Sequence, residues 1–410
     1  MAEGLGARAA AAAMLDVVLG EGRMLSELPE PEALAPGERA RARRLAEEVL
    51  RRVEPVDRLL GGLMRKAPPL PVLNLLRLAV VEMALGAPAH GAVNAAVALV
   101  RQGNRTQHLA GLANAVLRAV PPEPALGVQK LPRWMRQPMV HAYGREAVAA
   151  IEAVQAAAPP LDLTLRDGAE APAGEWLPTG SLRLALPGQV SGLPGYAAGG
   201  WWVQDAAAAL AVQLLAPVAG ERVLDLCAAP GGKTMQLAAA GAEVVALDVS
   251  AARLAVVQEN LGRTGLAARL VVADALEWVP DGPFDAVLLD APCSATGTVR
   301  RHPDLPFVKD GSEVPGLVEL QARLLDRALG MVRPGGRVVF ATCSLLPEEG
   351  EGQLAAALAR HPGLAVERAA IPGVEPGWWT EGGGLRLRPD FWAEQGGMDG
   401  FFLARLRVPG

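Results

Sequence analysis

The segment ERVLDLCAAPGGKT, residues 221–234, decides the fold of the second half of the chain. Its first part, Glu221 to Cys227, is mainly apolar and predicts a short buried strand. A turn containing Gly231 and Gly232 follows, and the residues from Met235 to Ala240 predict a helix. A strand, a glycine turn and a helix in this order bring backbone amides close to a ligand. The segment therefore predicts a ligand site in an α/β domain.

Three classes of glycine loop compete for this segment. A phosphate-binding P-loop requires a glycine five residues before the glycine of Gly232-Lys233-Thr234, and that position holds Cys227. A dinucleotide fingerprint requires the pattern Gly-x-Gly-x-x-Gly, which the segment lacks. A loop that binds S-adenosylmethionine tolerates the observed spacing, so the spacing favours that cofactor.

Carboxylates end the predicted strands that follow. The apolar runs and the residues that end them are 242–247 with Asp248, 269–273 with Asp274, and 284–289 with Asp290. Asp248 lies 23 residues after Asp225, close to the spacing at which an acidic residue holds a ribose diol. One such Asp is as often a helix N-cap. Three in succession after a glycine turn favour a ligand site at the carboxyl edge of a parallel sheet.

Two of the three cysteines follow strands in the same way. Cys293 lies in DAPCSATG, residues 290–297, and Cys343 follows a fifth predicted strand over residues 336–341. A single cysteine is usually a small buried hydrophobe, whereas two at equivalent strand ends beside carboxylates favour a catalytic role. The chain has no CxxC pair, so we expect neither a zinc site nor another metal centre. Cys227 is predicted to be a packing residue that contributes through its backbone.

The first 120 residues have helical periodicity with almost no strand signal, and prolines divide them into about five short helices. Pro121, Pro122 and Pro124 predict a domain boundary. Beyond it, alternating runs over 161–166 and over Leu182, Leu184 and Leu186 predict strands. We therefore predict a helical domain over 1–120, a linker and small α+β lobe over 121–200, and an α/β domain over 201–410.

The formal net charge of −5 gives no sign of a nucleic-acid partner. Residues 1–120, however, contain 15 Lys and Arg against 12 Asp and Glu, so the helical domain is mildly basic. Any RNA binding would use local basic patches. The most apolar stretch, residues 73–100, contains Arg77 and Glu82 and is too interrupted to span a bilayer. We expect a cytoplasmic monomer, and three unpaired cysteines agree with a reducing compartment.

The helical part resembles a known RNA-binding family. The sequences PAHGAVN, residues 88–94, and GLANAVLR, residues 111–118, are similar to the two signature helices of the NusB family. Ala113 stands where the family usually has Val. The resemblance implies an all-α RNA-binding domain at the front of the chain.

Residues from about 185 to 407 resemble the RNA cytosine-5 methyltransferases of the NOL1/NOP2/Sun family. The matching segments are VQD (203–205), CAAPGGKT (227–234), DAPCSATG (290–297), TCSLLPEE (342–349) and DGFF (399–402). The resemblance implies a Rossmann-like class I fold that uses S-adenosylmethionine. With the NusB-like front, it implies methylation of a cytosine in 16S rRNA, of the cytosine 967 type. The implied partner is 16S rRNA or a small-subunit assembly intermediate.

The resemblance also implies a role for each site residue. Cys343 would add to C6 of the cytosine and so activate C5, which is a poor nucleophile. Cys293 would assist release of the product. Asp290 would hold the N3 and N4 edge of the base, and Lys233 would help to polarise it.

Cofactor and RNA contacts are expected at further positions. Asp248 would hold the ribose hydroxyls and Asp274 the adenine edge, while the loop wraps the methionine and ribose part. The full set expected to bind the cofactor is Cys227, Ala228, Ala229, Pro230, Gly231, Gly232, Lys233, Asp248, Asp274 and Asp290. The residues expected to contact the RNA backbone are Arg300, Arg301 and Lys309.

Two other classes of function compete with this interpretation. One is an RNA-binding assembly or antitermination factor in which the NusB-like domain acts and the methyltransferase fold is vestigial; the pair Cys293 and Cys343 argues against it. The other is a methyltransferase that acts on protein, DNA or a small molecule. The Asn/Asp-Pro-Pro-aromatic motif of amino-group methylases is absent after the fourth strand, where DAPCS stands instead.

Overall fold

The computed structural model describes residues 4–185 and 188–410. The chain divides into two compact units. The first consists of Met1–Arg136, Val148–Ala158 and Val299–Asp310, and the second of Gln137–Ala147, Pro159–Thr298 and Gly311–Gly410. The sequence analysis places boundaries at residues 120 and 200. In the structure the region between them forms no separate unit, because its segments pack into one unit or the other.

The first unit is helical, as predicted. Within residues 4–120 its helices are α1 (Leu5–Glu21), α2 (Pro36–Leu50), α3 (Val53–Gly61), α4 (Leu70–Ala84), α5 (Ala89–Gln102) and α6 (Ala110–Ala119). Helix α4 is buried along most of its length and lies in the apolar core. Its buried polar groups are paired: Asn74 Nδ2 donates to Asp16 at 2.7 Å, and Arg77 Nη2 donates to Asp57 at 2.6 Å. Pairing removes most of the cost of burying them.

The first unit also contains a segment from far along the chain. Residues 299–310 belong to it, and they include the short helix α12 (Leu305–Val308). Phe307 and Val308 pack against the helical core, and the backbone N–H of Leu25 donates to Asp304 Oδ2 at 2.6 Å. The sequence analysis assigned this segment to the α/β domain. Its apolar side chains instead complete the helical core, which sequence order alone does not reveal.

Two helices and a small sheet follow the helical front. Helices α7 (Arg133–Tyr143) and α8 (Arg145–Gln155) are separated by Gly144, which has φ +86°. The sheet has the order β2-β3-β1-β4 and is antiparallel at each pairing. Its strands are β1 (Leu161–Leu165), β2 (Glu175–Trp176), β3 (Leu182–Leu184) and β4 (Trp201–Val203). Of the predicted run Leu182, Leu184 and Leu186, the first two lie in β3, and Leu186 lies outside the described residues.

The large sheet of the second unit has eight strands in the order β10-β12-β9-β8-β5-β6-β7, with β11 paired to β12. The strands are β5 (Arg222–Leu226), β6 (Glu243–Asp248), β7 (Arg269–Val272), β8 (Phe284–Asp290), β9 (Val332–Thr342), β10 (Ala365–Glu367), β11 (Leu385–Leu387) and β12 (Phe401–Arg407). Strands β5 to β9 are parallel where they pair, and β12 runs antiparallel to β9. The predicted Rossmann-like fold is confirmed.

Helices cover both faces of the large sheet. They are α9 (Ala206–Leu215), α10 (Gly232–Ala239), α11 (Ala251–Thr264), α13 (Val314–Met331) and α14 (Glu351–Arg360). Alternate residues of the central strands face opposite sides, as strand geometry requires. Leu224 and Leu289 pack in one core with α13 and α14, whereas Val223 and Leu288 pack in another with α9 and α10. The central strands are therefore buried on both faces, and ligand-binding groups are left to their ends.

Within the described residues, no helix is long and apolar enough to cross a membrane.

Candidate functional site

The carboxyl ends of the parallel strands bring the predicted site residues to one edge of the large sheet. Cys227 follows β5, Asp248 ends β6, Asp274 lies two residues after β7, and Asp290 ends β8. Cys343 follows β9 directly. Parallel strands end at a common edge, where open α/β sheets bind their ligands. The sequence analysis predicted this arrangement, and the paired strands produce it.

The turn after β5 has an unusual backbone. Cys227 has φ +62°, a value that non-glycine residues rarely adopt. Gly231 has φ +99°, and a Cβ there would lie 2.9 Å from Cγ1 of Val257, so only glycine fits without rearrangement. Helix α10 begins at the next residue, Gly232. The turn therefore presents backbone amides at the sheet edge, as the segment predicts.

Asp248 stabilises this turn through hydrogen bonds. Its carboxylate is 2% exposed and accepts from the backbone N–H of Ala229 at 3.2 Å and of Ser250 at 3.0 Å. Arg253 pairs with Asp248 at 3.3 Å and also donates to the carbonyl of Ala229 at 2.6 Å. Asp248 is therefore bound into the protein more fully than the sequence analysis implies. Asp274 differs, because it is exposed and its Oδ1 accepts from the N–H of Leu276 at 2.8 Å.

Asp225 is a site residue that the sequence analysis used only to measure a spacing. Its carboxyl is completely buried, and Oδ2 accepts from Thr234 Oγ1 at 2.6 Å. Oδ1 has no hydrogen-bond partner among the residues that the structure describes. Burial raises the pKa of Asp225 to about 7. An unsatisfied buried oxygen is rare in native proteins, and this one lies next to the glycine turn.

Cys293 and Cys343 are brought together, although they are 50 residues apart in sequence. Their Sγ atoms lie 3.4 Å apart, within hydrogen-bond distance for sulfur. Four causes raise the pKa of Cys293, in this order: its hydrogen bond to Cys343, burial, the charge of Cys343 and the charge of Glu349. Cys293 therefore holds its proton and can donate it toward Cys343. The arrangement places a protonated thiol within hydrogen-bond distance of a second cysteine sulfur.

Lys233 and Asp290 form an ion pair beside the cysteines. Lys233 Nζ lies 2.8 Å from Asp290 Oδ2, with the two side chains 11% and 28% exposed. Burial disfavours the charge of Lys233, but the carboxylates of Asp290 and Asp225 outweigh burial, so the pKa of Lys233 is raised. The ammonium also lies 5.4 Å from the ring centroid of Phe401. This edge of the sheet thus holds a permanent cation in contact with a partly exposed carboxylate.

Glycine contacts join the loops that carry the two cysteines. The N–H of Gly297 donates to the carbonyl of Cys343 at 2.9 Å, and the N–H of Gly400 donates to the carbonyl of Gly297 at 2.8 Å. A Cβ at Gly297 would overlap the carbonyl oxygen of Gly400. The glycines of DAPCSATG and DGFF are therefore required by close backbone approach.

The residues expected to contact RNA lie in the segment that packs into the helical unit. Arg300 is 0% exposed, so its side chain does not reach solvent from this position. The expectation that Arg300 contacts the RNA backbone disagrees with this placement, because the segment folds inward on the helical core. Arg301 and Lys309 are half-buried, and the carbonyl of Lys309 accepts from Trp134 Nε1 at 3.1 Å.

Comparison with known proteins identifies both parts of the chain. A family model described as 16S rRNA methyltransferase RsmB/F matches residues 212–407, and the NusB family model matches residues 6–121. The helical part of the chain is therefore similar to the NusB family, and most of the α/β part is similar to the RsmB/F methyltransferases. The resemblances to the NusB and NOL1/NOP2/Sun families are thereby confirmed.

The chain is also similar to curated proteins named Ribosomal RNA small subunit methyltransferase B. The chain is 44% identical over 231 residues to Ribosomal RNA small subunit methyltransferase B of Salmonella arizonae. It is 43% identical over the same length to the protein of that name from Klebsiella pneumoniae. Each match covers 55% of this chain and 51% of the relative. The chain therefore spans about half the length of the curated relatives that it matches.

Solved structures share the fold. The crystal structure of the protein named PH0851 has a TM-score of 0.73 at 23% identity, covering 98% of each chain. A methyltransferase homolog from Pyrococcus horikoshii has a TM-score of 0.54 at 27% identity, covering 66% of this chain and 93% of its own. NSun6 from Pyrococcus horikoshii with SFG has a TM-score of 0.57 at 19% identity, covering 68% and 98%.

The cofactor of the α/β domain is S-adenosylmethionine, and the residues at the sheet edge fit it. This molecule carries an ammonium group, a sulfonium and two ribose hydroxyls, all of which suit acceptor oxygens. The edge offers the unsatisfied Oδ1 of Asp225 together with the exposed Asp274 and the half-buried Asp290. Among the described residues, no group of His, Cys, Asp and Glu side chains could hold a metal ion.

Proposed function

We propose that this protein transfers the methyl group of S-adenosylmethionine to C5 of a cytosine in 16S rRNA, of the cytosine 967 type, through a covalent adduct with Cys343. The observation that carries the proposal is the separation of 3.4 Å between the sulfurs of Cys293 and Cys343 at the sheet edge. Methylation at a ring or amino nitrogen requires no cysteine nucleophile. Two cysteines in contact beside a cofactor turn therefore favour carbon methylation.

The proposed adduct solves an electronic problem. C5 of cytosine is a poor nucleophile until a thiolate adds to C6, which moves electron density onto C5. The sulfur of Cys343 forms the bond to C6, and C5 then takes the methyl group. When bound, the cofactor supplies that methyl group on a positively charged sulfur. A base afterwards removes the C5 proton, the C5=C6 double bond re-forms and the bond from C6 to Cys343 breaks.

Asp290 and Lys233 are proposed to hold the base during addition. Charge that develops on the ring is stabilised when donors and acceptors at its edge are already in place. The carboxylate of Asp290 accepts hydrogen bonds from the N3 and N4 edge and so favours the protonated ring. Lys233, 2.8 Å from that carboxylate, fixes its orientation and adds positive charge next to the base.

Cys293 is proposed to assist the last step. Its raised pKa keeps the thiol protonated near neutral pH, and its hydrogen bond to Cys343 is the first cause of that rise. A protonated thiol 3.4 Å from the Cys343 sulfur can donate to that sulfur as it leaves C6. Loss of the donor slows departure and leaves the enzyme bound to its RNA.

The cofactor is proposed to bind along the turn after β5. The backbone of residues 227–233 holds the methionine and ribose part, and Asp274 accepts from the adenine edge. Asp248 orients the turn and the ribose, while Asp225 accepts from the cofactor through its unsatisfied oxygen. Calorimetry with S-adenosylmethionine should therefore show weaker binding for Asp274→Asn. Asp167→Asn, an exposed Asp in the small-sheet region, is the control.

The RNA backbone is proposed to contact Arg301 and Lys309, together with the mildly basic NusB domain. Each lost phosphate contact reduces the slope of log affinity against log salt by about one. The partner is 16S rRNA or a small-subunit assembly intermediate in the bacterial cytoplasm. Comparing methylation of naked 16S rRNA with that of a partly assembled subunit separates these two substrates.

Bisulfite mapping of 16S rRNA tests the proposal directly. In cells that lack this protein, one 5-methylcytosine should disappear, and the wild-type gene should restore it where Cys343→Ala does not. An unchanged methylation pattern would reject the rRNA substrate. Restoration by Cys343→Ala would support the alternative function, RNA binding with a non-catalytic methyltransferase fold.

A further inference from the structure

The carboxylate of Glu349 is buried and contacts the loops that carry the two cysteines. We call residues 290–298 the first cysteine loop and residues 342–350 the second. Glu349 belongs to the second loop and is 0% exposed. A charged side chain at this depth costs several kcal/mol in hydration unless hydrogen bonds replace the lost water. Its partners therefore indicate what the carboxylate is there to hold.

Glu349 accepts hydrogen bonds from both loops. Oε1 accepts from the backbone N–H of Ser294 at 2.9 Å and from Gln321 Nε2 at 3.0 Å. Oε2 accepts from Ser344 Oγ at 2.6 Å and also from Ser294 Oγ. Ser294 is the residue after Cys293, and Ser344 is the residue after Cys343. One side chain therefore contacts the residue that follows each cysteine, through the backbone N–H and hydroxyl of Ser294 and through the hydroxyl of Ser344.

The remaining polar groups close the network. Thr296 Oγ1 lies 3.1 Å from Ser344 Oγ and accepts from the N–H of Leu345 at 2.9 Å. Gln321 Nε2 also donates to the carbonyl of Pro292 at 2.8 Å. All four contacts of the Glu349 carboxylate come from N–H or O–H donors. An ionised carboxylate satisfies this pattern, whereas an amide would turn an N–H₂ group toward other donors.

The charged groups around the network are unevenly placed. Cys293 has Cys343 and Glu349 as its nearby negative charges. Cys343 instead interacts with the positive charge of Lys233. On the far side, Arg386 interacts with Glu349, donates to the carbonyl of Ser344 at 2.5 Å and pairs with Glu351 at 2.6 Å. Glu349 therefore acts on Cys293 with negative charge, and Lys233 interacts with Cys343 as a cation.

We propose that Glu349 is the positioning residue of the cysteine pair: its carboxylate, hydrogen-bonded to Ser294 and Ser344, sets the distance between the two loops and places negative charge beside Cys293, so that Cys343 is the sulfur that attacks. The proposal rests on the proposed function, because it assigns the two cysteines different roles in that reaction. Glu349 touches neither base nor cofactor and acts through Ser294 and Ser344.

The test compares Glu349→Gln with Glu348→Gln. Glu348 is the adjacent residue and is exposed, so its variant controls for loss of one charge at this point of the chain. For Glu349→Gln we expect kcat of methyl transfer to fall by about 10²-fold with KM for RNA and cofactor nearly unchanged, because misplacement of reacting groups by about 1 Å has an effect of this size. Glu348→Gln should match the wild type.

The reactivity of the Cys293 thiol provides a second measurement, which would not change if Glu349 had only a structural role. The rate of iodoacetamide alkylation at Cys293 is measured against pH by mass spectrometry in all three proteins. Removal of the negative charge should shift the Cys293 profile to lower pH in Glu349→Gln only. Wild-type kcat together with a wild-type alkylation profile in Glu349→Gln would overturn the proposal.

Two further measurements keep the outcomes distinct. If Glu349→Gln does not fold, as judged by circular dichroism, Ser344→Ala removes one donor to Oε2 without changing charge; it should lower kcat by about 10-fold, and an unchanged kcat would count against the proposal. If the wild type does not methylate rRNA, the proposed function fails, and the alkylation profiles still decide whether Glu349 sets the state of Cys293.

Discussion

The turn after β5 and the two cysteine loops each place a cysteine at the same edge of the large sheet. The charged groups and hydrogen-bond partners near these cysteines differ. Cys227, Cys293 and Cys343 are all half-buried. Burial, with the nearby carboxylates of Asp290 and Asp248, raises the pKa of Cys227 to about 12. Cys343 instead has a thiol at 3.4 Å and interacts with the cation of Lys233. Position at a strand end therefore does not make a cysteine reactive; the neighbouring charges and donors do.

The largest expected difference between these regions is in methyl transfer. Cys343→Ala should lower the rate by at least about 10³-fold, because the nucleophile is lost. Cys227→Ala should stay within about threefold of the wild type, since alanine keeps the backbone of the turn and the thiol takes no part. Transfer of a labelled methyl group to 16S rRNA measures both. If the two variants lost the same fraction of the methyl-transfer rate, the two regions would not differ in their role in the reaction.

The second expected difference is in the fate of the RNA. Cys293→Ala should accumulate a covalent protein–RNA adduct, since departure of Cys343 from C6 loses its proton donor. Denaturing gel electrophoresis after incubation with RNA and cofactor detects the adduct. The double variant Cys293→Ala with Cys343→Ala should form none. An adduct that persists in the double variant would assign the covalent bond to another residue.

A third prediction concerns the contact that holds the cysteine loops together. Gly297→Ala forces a Cβ into the Gly400 carbonyl, so we expect the free energy of unfolding to fall by about 3 kcal/mol. Gly316→Ala in α13 is the matched control, because a Cβ there meets no atom within 4 Å. The control should be neutral or slightly stabilising, since alanine favours helix over glycine. Urea denaturation measures both variants, and equal stability would contradict the close packing of the loops.

The last expected difference lies in the turn region and depends on pH. The folded-state pKa of Asp225 is raised to about 7 from an ordinary value of 3.8. The folded protein therefore binds the proton more tightly than the unfolded chain, and the stability from this group is lost as pH rises from about 4 through about 7. Asp225→Asn should flatten the fall in unfolding free energy across that range, measured without cofactor. Asp167→Asn should keep the wild-type slope.

Much of the site was predictable because its signals are local. An apolar run of five or six residues that ends at an Asp predicts a parallel strand, and β6, β7 and β8 form at such runs. The helical front was predictable for the same reason, from its periodicity and its prolines. Strand β9 was predicted to begin at Gly336 but begins at Val332, since pairing with β8 extends it through a proline and two glycines.

Other features of the site depend on contacts between distant residues. Glu348 and Glu349 are adjacent and chemically identical in TCSLLPEE, yet one is exposed and the other is completely buried between two loops. Arg300 has the sequence context of a basic surface loop, yet it is buried in the helical unit. No local pattern distinguishes these cases, because burial is set by residues tens or hundreds of positions away.

The sequence by itself determined the two kinds of domain, the succession of strands and helices along the chain, the cofactor turn and the three strand-end carboxylates. These follow from hydrophobic periodicity and from motif spacing, which act over a few residues. The tertiary structure decided which cysteines meet, that Asp225 retains an unsatisfied oxygen, and that Glu349 accepts hydrogen bonds from the residues that follow Cys293 and Cys343. Distances between sulfurs and burial of charge depend on how strands pair and loops pack. Strand pairing and loop packing are properties of the folded chain. They give Cys227 surroundings that differ from those of Cys293 and Cys343, the proposed catalytic pair.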